Sequence, residues 1–165
     1  MSGPTDLLRS AYSGKETKLY ANIGGTYAEP TWVEVTRARN VQRNRGPNLS
    51  DIEYHGAAET GAIPGYRAFK GSFEYARLKG TDTVWAALEA ARDAGDIVDI
   101  CHLNGPINET ASKGWRCPVL LGETSGSANG NDGVVDTIPF SKADCHLVSD
   151  GSAVNYVAFS GTDPA

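Results

Sequence analysis

Residues 81–95, TDTVWAALEAARDAG, are the one stretch with a clear helical signature, and they limit the fold more than any other feature. Thr81 or Asp82 can cap the start, Ala, Leu and Glu favour the interior, and Gly95 can close the end. Val84, Ala87, Leu88 and Ala91 recur at the spacing of one helix face, with Trp85 beside them. Glu89, Arg92 and Asp93 occupy the polar side, and a solvated face accounts for all three. A single helix of about 13 residues cannot build a bundle. It must lie on a sheet or plug a barrel, packing through Val84, Trp85, Leu88 and Ala91.

The remainder reads as strands. KLYANIGG, 18–25, is a short strand halted by Gly24 and Gly25. TWVEVTRARNVQ, 31–42, is rich in Trp, Val and Thr and reads as one long strand. Neither of its alternating sets is cleanly apolar, which implies a strand that leaves the core partway or meets a partner surface. Residues 45–66 carry the Gly, Pro, Asn and Ser of a long loop, with a short strand at 51–55. Ordinary connections run about 4–6 residues, so a loop of this length is mobile or works outside the monomer. YRAFKGSFEYARLK, 66–79, alternates, with Phe69, Gly71, Phe73, Tyr75 and Arg77 on one face. Strands are also expected at 96–105, with Ile97, Asp99, Cys101 and Leu103 on one face, at 115–121, after 133 around Pro139, and at 153–161. GETSGSANGNDG, 122–133, reads as a flexible loop.

A length of 165 residues with 40% hydrophobic content suits one domain, here 17–165, preceded by a polar arm at 1–16. No run of 18 apolar residues offers a membrane span, and the opening MSGPTDLLRSAYSG does not resemble a secretory signal. Cys101, Cys117 and Cys145 fit reduced thiols better than a disulfide scaffold. Net charge is -5, but residues 1–79 carry 11 Lys and Arg against 8 acids, while 80–165 carry 4 against 12. The chain lacks the overall basic charge of a dedicated DNA binder, and its two halves could pair with each other or across copies.

Chemical motifs are sparse. Cys-His-Leu occurs at 101–103 and 145–147, and Cys117 and His55 would add ligands for zinc. Neighbouring strand residues point to opposite faces, so Cys101 and His102 cannot easily share an ion. No nucleophile elbow, phosphate loop or metalloprotease motif is present; an enzyme would need a pocket gathering His55, His102 or His146 with acids. Neither catalysis nor a cofactor is expected. The stretch TRARNVQRNRGP, 36–47, is more pointed. On an unbulged strand Arg37, Arg39, Arg43 and Arg45 fall on one side, interrupted by Val41. Such a strip could track phosphates, guard a solvated edge, or meet an acidic neighbour, and the residues leave all three open.

TWVEVTRARNV followed by FKGSFEYARLKGTDTVWAALEAARDAGDIVDICHLNG resembles the major tail tube proteins of long-tailed bacteriophages. The match runs through Phe73, Glu74, Tyr75, Asp82, Ala87, Leu88, Ala91, Gly95, Ile97, Val98, Leu103, Asn104 and Gly105, and GGTYAEPTWVEV suits the usual opening. It covers about residues 18–161 and is most specific over 24–41 and 69–105. The resemblance implies an antiparallel β-sandwich or partly open β-barrel with one helix, about 81–94, on its side and a long assembly loop. It also implies hexameric rings that stack into a tube for DNA or other cargo, with tape-measure and tail-terminator proteins as partners. The place implied is the virion tail, assembled in the host cytoplasm; inner tubes of contractile injection systems and type VI secretion rings are similar. Under that resemblance Arg37, Arg39, Arg43, Arg45, Asp51 and Glu53 are candidates for the assembly or channel surface. Four lumenal arginines would hold a sliding phosphate chain. Some are therefore expected to face outward or meet acids such as Asp96, Asp99, Glu109 or Asp136 of a neighbour. The alternative is a monomeric β-module that binds nucleic acid through the arginine-rich strand.

Overall fold

The computed structural model describes residues 16–52, 56, 61–129, 133–144 and 156–161, so the arm expected at 1–16 lies outside it apart from Glu16. The described residues form nine strands and one helix: β1 (Lys18–Asn22), β2 (Trp32–Glu34), β3 (Ala38–Ile52), β4 (Gly61–Ala76), α1 (Thr83–Ala94), β5 (Val98–Leu103), β6 (Lys113–Leu121), β7 (Ser125–Asn129), β8 (Gly133–Lys142) and β9 (Val157–Ser160). All pairings are antiparallel, in the order β2-β1-β5-β6-β8-β4-β3, with β7 added to β8 and β9 to β6. β2 and β3 are the two edges and do not pair with each other, so the sheet is unclosed. This is the mainly β, partly open architecture with one helix that the resemblance implied.

Alternation builds the core. Phe69, Phe73 and Tyr75 of β4 meet Ile138 and Phe140 of β8, Trp115, Cys117 and Val119 of β6, Val98 and Ile100 of β5, and Leu19 and Ala21 of β1. Phe69 meets Trp115 edge-on at 5.1 Å between centroids, and Tyr75 lies 5.0 Å from Trp85. Each buried ring contributes roughly 1.5–3 kcal/mol. The other face of β1, β5 and β6 buries Tyr20, Cys101 and Leu103 beneath Trp32, Ile107 and Phe159. β5 and β6 are thus covered on both sides, so burial runs almost unbroken along them and the charged Asp99 and Arg116 are buried with it.

The helix starts at Asp82, whose carboxylate accepts from the Trp85 N–H at 3.1 Å and from the Tyr75 hydroxyl at 2.7 Å. It stops at Gly95, left-handed at φ 71°, with the Asp96 N–H turned back to the Ala91 carbonyl. Trp85 and Leu88 are buried in the main core, and Val84 and Ala91 pack partly buried against it. The cap and the ring contact tie the helix to β4. Because the helix ends in this left-handed turn, β5 begins at Val98 and Ile97 is left exposed.

Four segments differ from the sequence reading. The strand expected at 31–42 is broken. Val35 drops into the core, its N–H bonds to the Leu19 carbonyl at 2.8 Å, and a tight turn sends the chain to the opposite sheet edge as β3. That crossing explains why neither alternating set was cleanly apolar. Residues 45–50 and 61–66, expected as loop, are the ends of β3 and β4, and 51–52, expected to open a short strand, are the last residues of β3. Beyond β8 these two strands pair, among the described residues, only with each other, so Pro47 and Pro64 remove no bond to a third strand there. The flexible loop expected at 122–133 contains β7, a strand hairpinned onto β8 in which Gly126 lets the Asp136 carboxylate approach. Arg77 lies past the end of β4, where its guanidinium covers the Trp85 ring at 4.4 Å. Pro139 is tolerated inside β8 because β7 pairs only up to Thr137 on that side and β6 only from Phe140.

Candidate functional site

The arginine strip is divided by a β-bulge. Ala38 and Arg39 face Tyr75 and Glu74, but the next paired residues are Gln42 and Arg43, opposite Ser72 and Gly71. Asn40 and Val41 together therefore oppose Phe73 alone. One extra residue reverses which face every later side chain occupies. Asn40 makes this possible at φ 50°, a left-handed conformation that Asn tolerates better than most residues. Gly71 accommodates it from the other strand, since a Cβ there would come within 2.1 Å of the Gln42 carbonyl and 2.6 Å of the Phe140 ring.

The consequence is electrostatic sorting. Arg39 lies on the outer face, where Glu74 accepts from its Nε at 3.0 Å and from the Asn40 side chain at 2.8 Å. Arg43 and Arg45 lie on the face of Phe69 and Phe73, stacked on Tyr156: the Arg45 guanidinium is 4.3 Å from that ring's centroid and Arg43 donates to its hydroxyl. Arg37 sits exposed in the turn before β3, and its carbonyl accepts the Ala76 N–H. Its charge also helps hold the Asp82 carboxyl below the ordinary range, together with the Tyr75 and Trp85 hydrogen bonds, which outweigh the opposing effect of burial. The structure does not bring the four arginines together.

The acids expected as intersubunit partners divide as well. Asp99 is buried and binds Arg116 within the same chain at 2.9 and 2.5 Å, and Arg116 also donates to the Tyr27 carbonyl at 2.7 Å. The Tyr27, Trp32 and Phe159 rings surround that guanidinium at 3.8–5.6 Å. Asp136 is buried against Arg77. Both carboxylates are committed inside the subunit, which corrects their assignment to a neighbour. Asp96 and Glu109 form no ion pair among the described residues.

β3 and β4 together make an arm. β8 supports β4 only from Lys70 to Ala76, so at ~3.3 Å per residue the hairpin runs about 25–30 Å past the sheet to Ile52 and Gly61. A second irregularity between Pro47 and Leu49 places Gly65 against the Asn48 carbonyl. Leu49, Ile63 and Tyr66 are 67%, 47% and 94% exposed along it. Asp51 is exposed near its end, and Glu53 lies outside the described residues. The far edge of β3 has no partner strand among the described residues. A two-stranded ribbon with exposed apolar side chains and an open edge is marginal alone and is a ready template for pairing with another chain.

The histidine and cysteine candidates are separate. Cys101 is buried among Tyr20 and Leu103, while His102 lies on the opposite face, 6.0 Å from Trp115. Burial and the charge of Arg43 lower the His102 pKa. Among the described residues no three His, Cys, Asp or Glu side chains converge; His55, Cys145 and His146 lie outside them.

No protein-family model matches the chain, and no curated protein matches it by sequence. Solved structures match its fold over most of its length. A chain of the SPP1 tail tube superposes with a TM-score of 0.67 at 12% identity, covering 93% of this chain and 81% of that one. The chain shares its fold with tail tube subunits. A chain from the tail of the empty gene transfer agent particle, refined with C6 symmetry, gives 0.61 at 13% identity, covering 82% and 96%. A chain of the sheath–tube complex of PVC, an extracellular contractile injection system, gives 0.56 at 9% identity, covering 97% and 99%.

Within this tube fold, the sequence reading missed the residues that meet Arg43 and Arg45. Tyr156 comes from the segment before β9, and only the pairing of β9 with β6 brings it to the arm. No local pattern encodes that pairing. The bulge did leave a trace: an Asn, at ease in left-handed backbone, in the middle of a strand pattern.

Proposed function

We propose that this chain is a structural subunit of a phage-tail-like tube, assembling into hexameric rings that stack around a channel for DNA or other cargo. The observation that carries the reading is the pairing of a tube-subunit fold with an unfinished edge. Among the described residues the 15-residue β3 is unpartnered on one side, and it runs into an arm with exposed Leu49, Ile63 and Tyr66. In this reading the arm and the β3 edge bind neighbouring copies, and the C6 symmetry of the gene transfer agent tail supports a sixfold ring.

The outer face of β3, β4, β8 and β7 is the channel wall. It carries Gln42, Asn44, Ser72, Ser125, Thr137 and Ser141; its Arg39 is neutralised by Glu74, and Lys70 is an exposed cation on it with no ion pair among the described residues. A polar surface with one such cation per subunit holds a phosphate chain far more weakly than a continuous arginine strip would. The bulge removes Arg43 and Arg45 from that wall, so the continuous cationic strip required for a monomeric nucleic-acid module is divided. Tape-measure and tail-terminator proteins are the partners this role entails, in a virion tail assembled in the host cytoplasm, and the subunit itself has no enzymatic role. Electron microscopy of the purified full chain at high concentration tests the reading. Rings or stacked tubes with sixfold symmetry are expected; a persistent monomer that binds short DNA tightly and with strong salt dependence would overturn it.

A further inference from the structure

The base of the arm holds a receptor-like concavity that the reading above does not use. About 280 Å³ in volume, it is lined by Arg45, Arg67, Ala68, Phe69, Lys142 and Tyr156. Its floor is apolar, formed by Phe69 and the Tyr156 ring, and its rim is cationic. Arg43 adds a further charge through its bond to the Tyr156 hydroxyl. None of these four cations forms an ion pair with a carboxylate among the described residues. A small site with a greasy floor and a positive rim calls for an apolar side chain beside a carboxylate.

That combination occurs on the arm itself. Leu49 and Asp51 are two residues apart on β3, on one face and both exposed, with Leu49 at 67%. From residue 48 to 66 the chain has Asp51, Glu53 and Glu59 and no Lys or Arg. Asp51 lies six residues along β3 from Arg45, about 20 Å, so it does not reach the Phe69 and Lys142 side of the concavity within its own copy. We infer that the concavity receives Leu49 and Asp51 from the arm of a second copy, with Leu49 over Phe69 and Tyr156 and the Asp51 carboxylate between Arg45, Arg67 and Lys142. The contact is head-to-tail, so each copy both gives an arm and receives one, and the pattern continues through an assembly. This inference rests on the tube-subunit reading. Nucleic acid fits less well: at about 280 Å³ the site is a hollow for a side chain or two, too small for a run of stacked bases.

Cross-linking tests it with every charge kept. Leu49→Cys and Ala158→Cys, the latter exposed on β9 two residues from Tyr156, are combined in a Cys145→Ser background, where Cys101 and Cys117 are buried, and the full chain is treated with a short bis-maleimide. A ladder of covalent oligomers is expected, absent from either single variant. Adding Arg45→Glu and Arg67→Glu should cut its yield by about tenfold or more, and adding Asp51→Lys to these should restore it. Sixfold rings without a ladder would overturn the inference and leave the tube reading standing. A ladder without sixfold rings would do the reverse. No ladder, together with binding of a fluorescent single-stranded DNA that Arg45→Glu/Arg67→Glu abolishes, would make the concavity a phosphate site and also overturn the inference.

Discussion

The body and the arm solve the same problem in opposite ways. In the body, charges that leave water find partners at once: Asp99 meets Arg116, Asp136 meets Arg77, and Asp82 meets Tyr75 and a helix N–H. Its aromatic rings interlock from Phe69 through Trp115 to Phe140. The arm leaves Leu49, Ile63 and Tyr66 in water, a strand edge unpaired, and cations at its base without acids among the described residues. A body that satisfies itself can fold as one subunit; under the proposed function, another copy completes the arm that does not. Substitutions in the two regions should therefore move different observables.

The largest effect on stability is expected inside the body. Arg116→Met strands Asp99 in a buried site and should cost about 3–5 kcal/mol by chemical denaturation. Adding Asp99→Asn should recover part of that loss, because the uncompensated charge is then gone. If Arg116→Met proved neutral, the aromatic cage around Arg116 would not be holding the 23–31 segment and β9 to the sheet.

At the junction of body and arm, Asn40 sets the bulge. Asn40→Val forces a β-branched residue into left-handed backbone and should cost about 1–2 kcal/mol, whereas Asn40→Gly should be close to wild type. Equal melting temperatures for the two would mean that the bulge does not depend on residue 40.

A smaller and pH-dependent effect is expected at Asp82. Its folded pKa is lowered, so its contribution is complete above the unfolded-state value, about 4, and is lost as pH falls through the folded value. Asp82→Ala should cost about 1 kcal/mol at neutral pH, and the gap from wild type should close in acid. A gap that widened as pH fell would contradict the cap geometry.

The smallest stability effect belongs to the arm. Leu49→Ser with Ile63→Ser should shift unfolding by less than about 0.5 kcal/mol, since neither side chain is buried in the subunit. The same pair should prevent or weaken tube formation in sedimentation and imaging. A clear loss of subunit stability with intact tubes would reverse the roles of the two regions.

The division also explains what the sequence disclosed. The helix was legible to within about two residues because Asp82, the Val84–Ala91 stripe and Gly95 are local signals. β4 was legible because one buried face imposes a period of two. The arm was misread as loop because Pro47, Pro64 and Gly65 normally mark turns, and only an unsupported two-stranded ribbon tolerates them. The arginine strip was misjudged by one residue, the bulged one, and one residue is enough to exchange the faces of a strand. Tyr156, Arg67 and Lys142 converge from three strand regions distant in sequence, which no local pattern could show.

Hydrogen exchange on the full chain, compared between dilute subunit and concentrated assembly, tests this division most directly. The account predicts that backbone amides of 44–52 and 61–68 exchange quickly in the subunit and become protected on assembly, while those of β5, β6 and the core half of β4 are slow in both. Arm amides already as protected in the isolated subunit as those of β5, or unchanged by assembly, would contradict it.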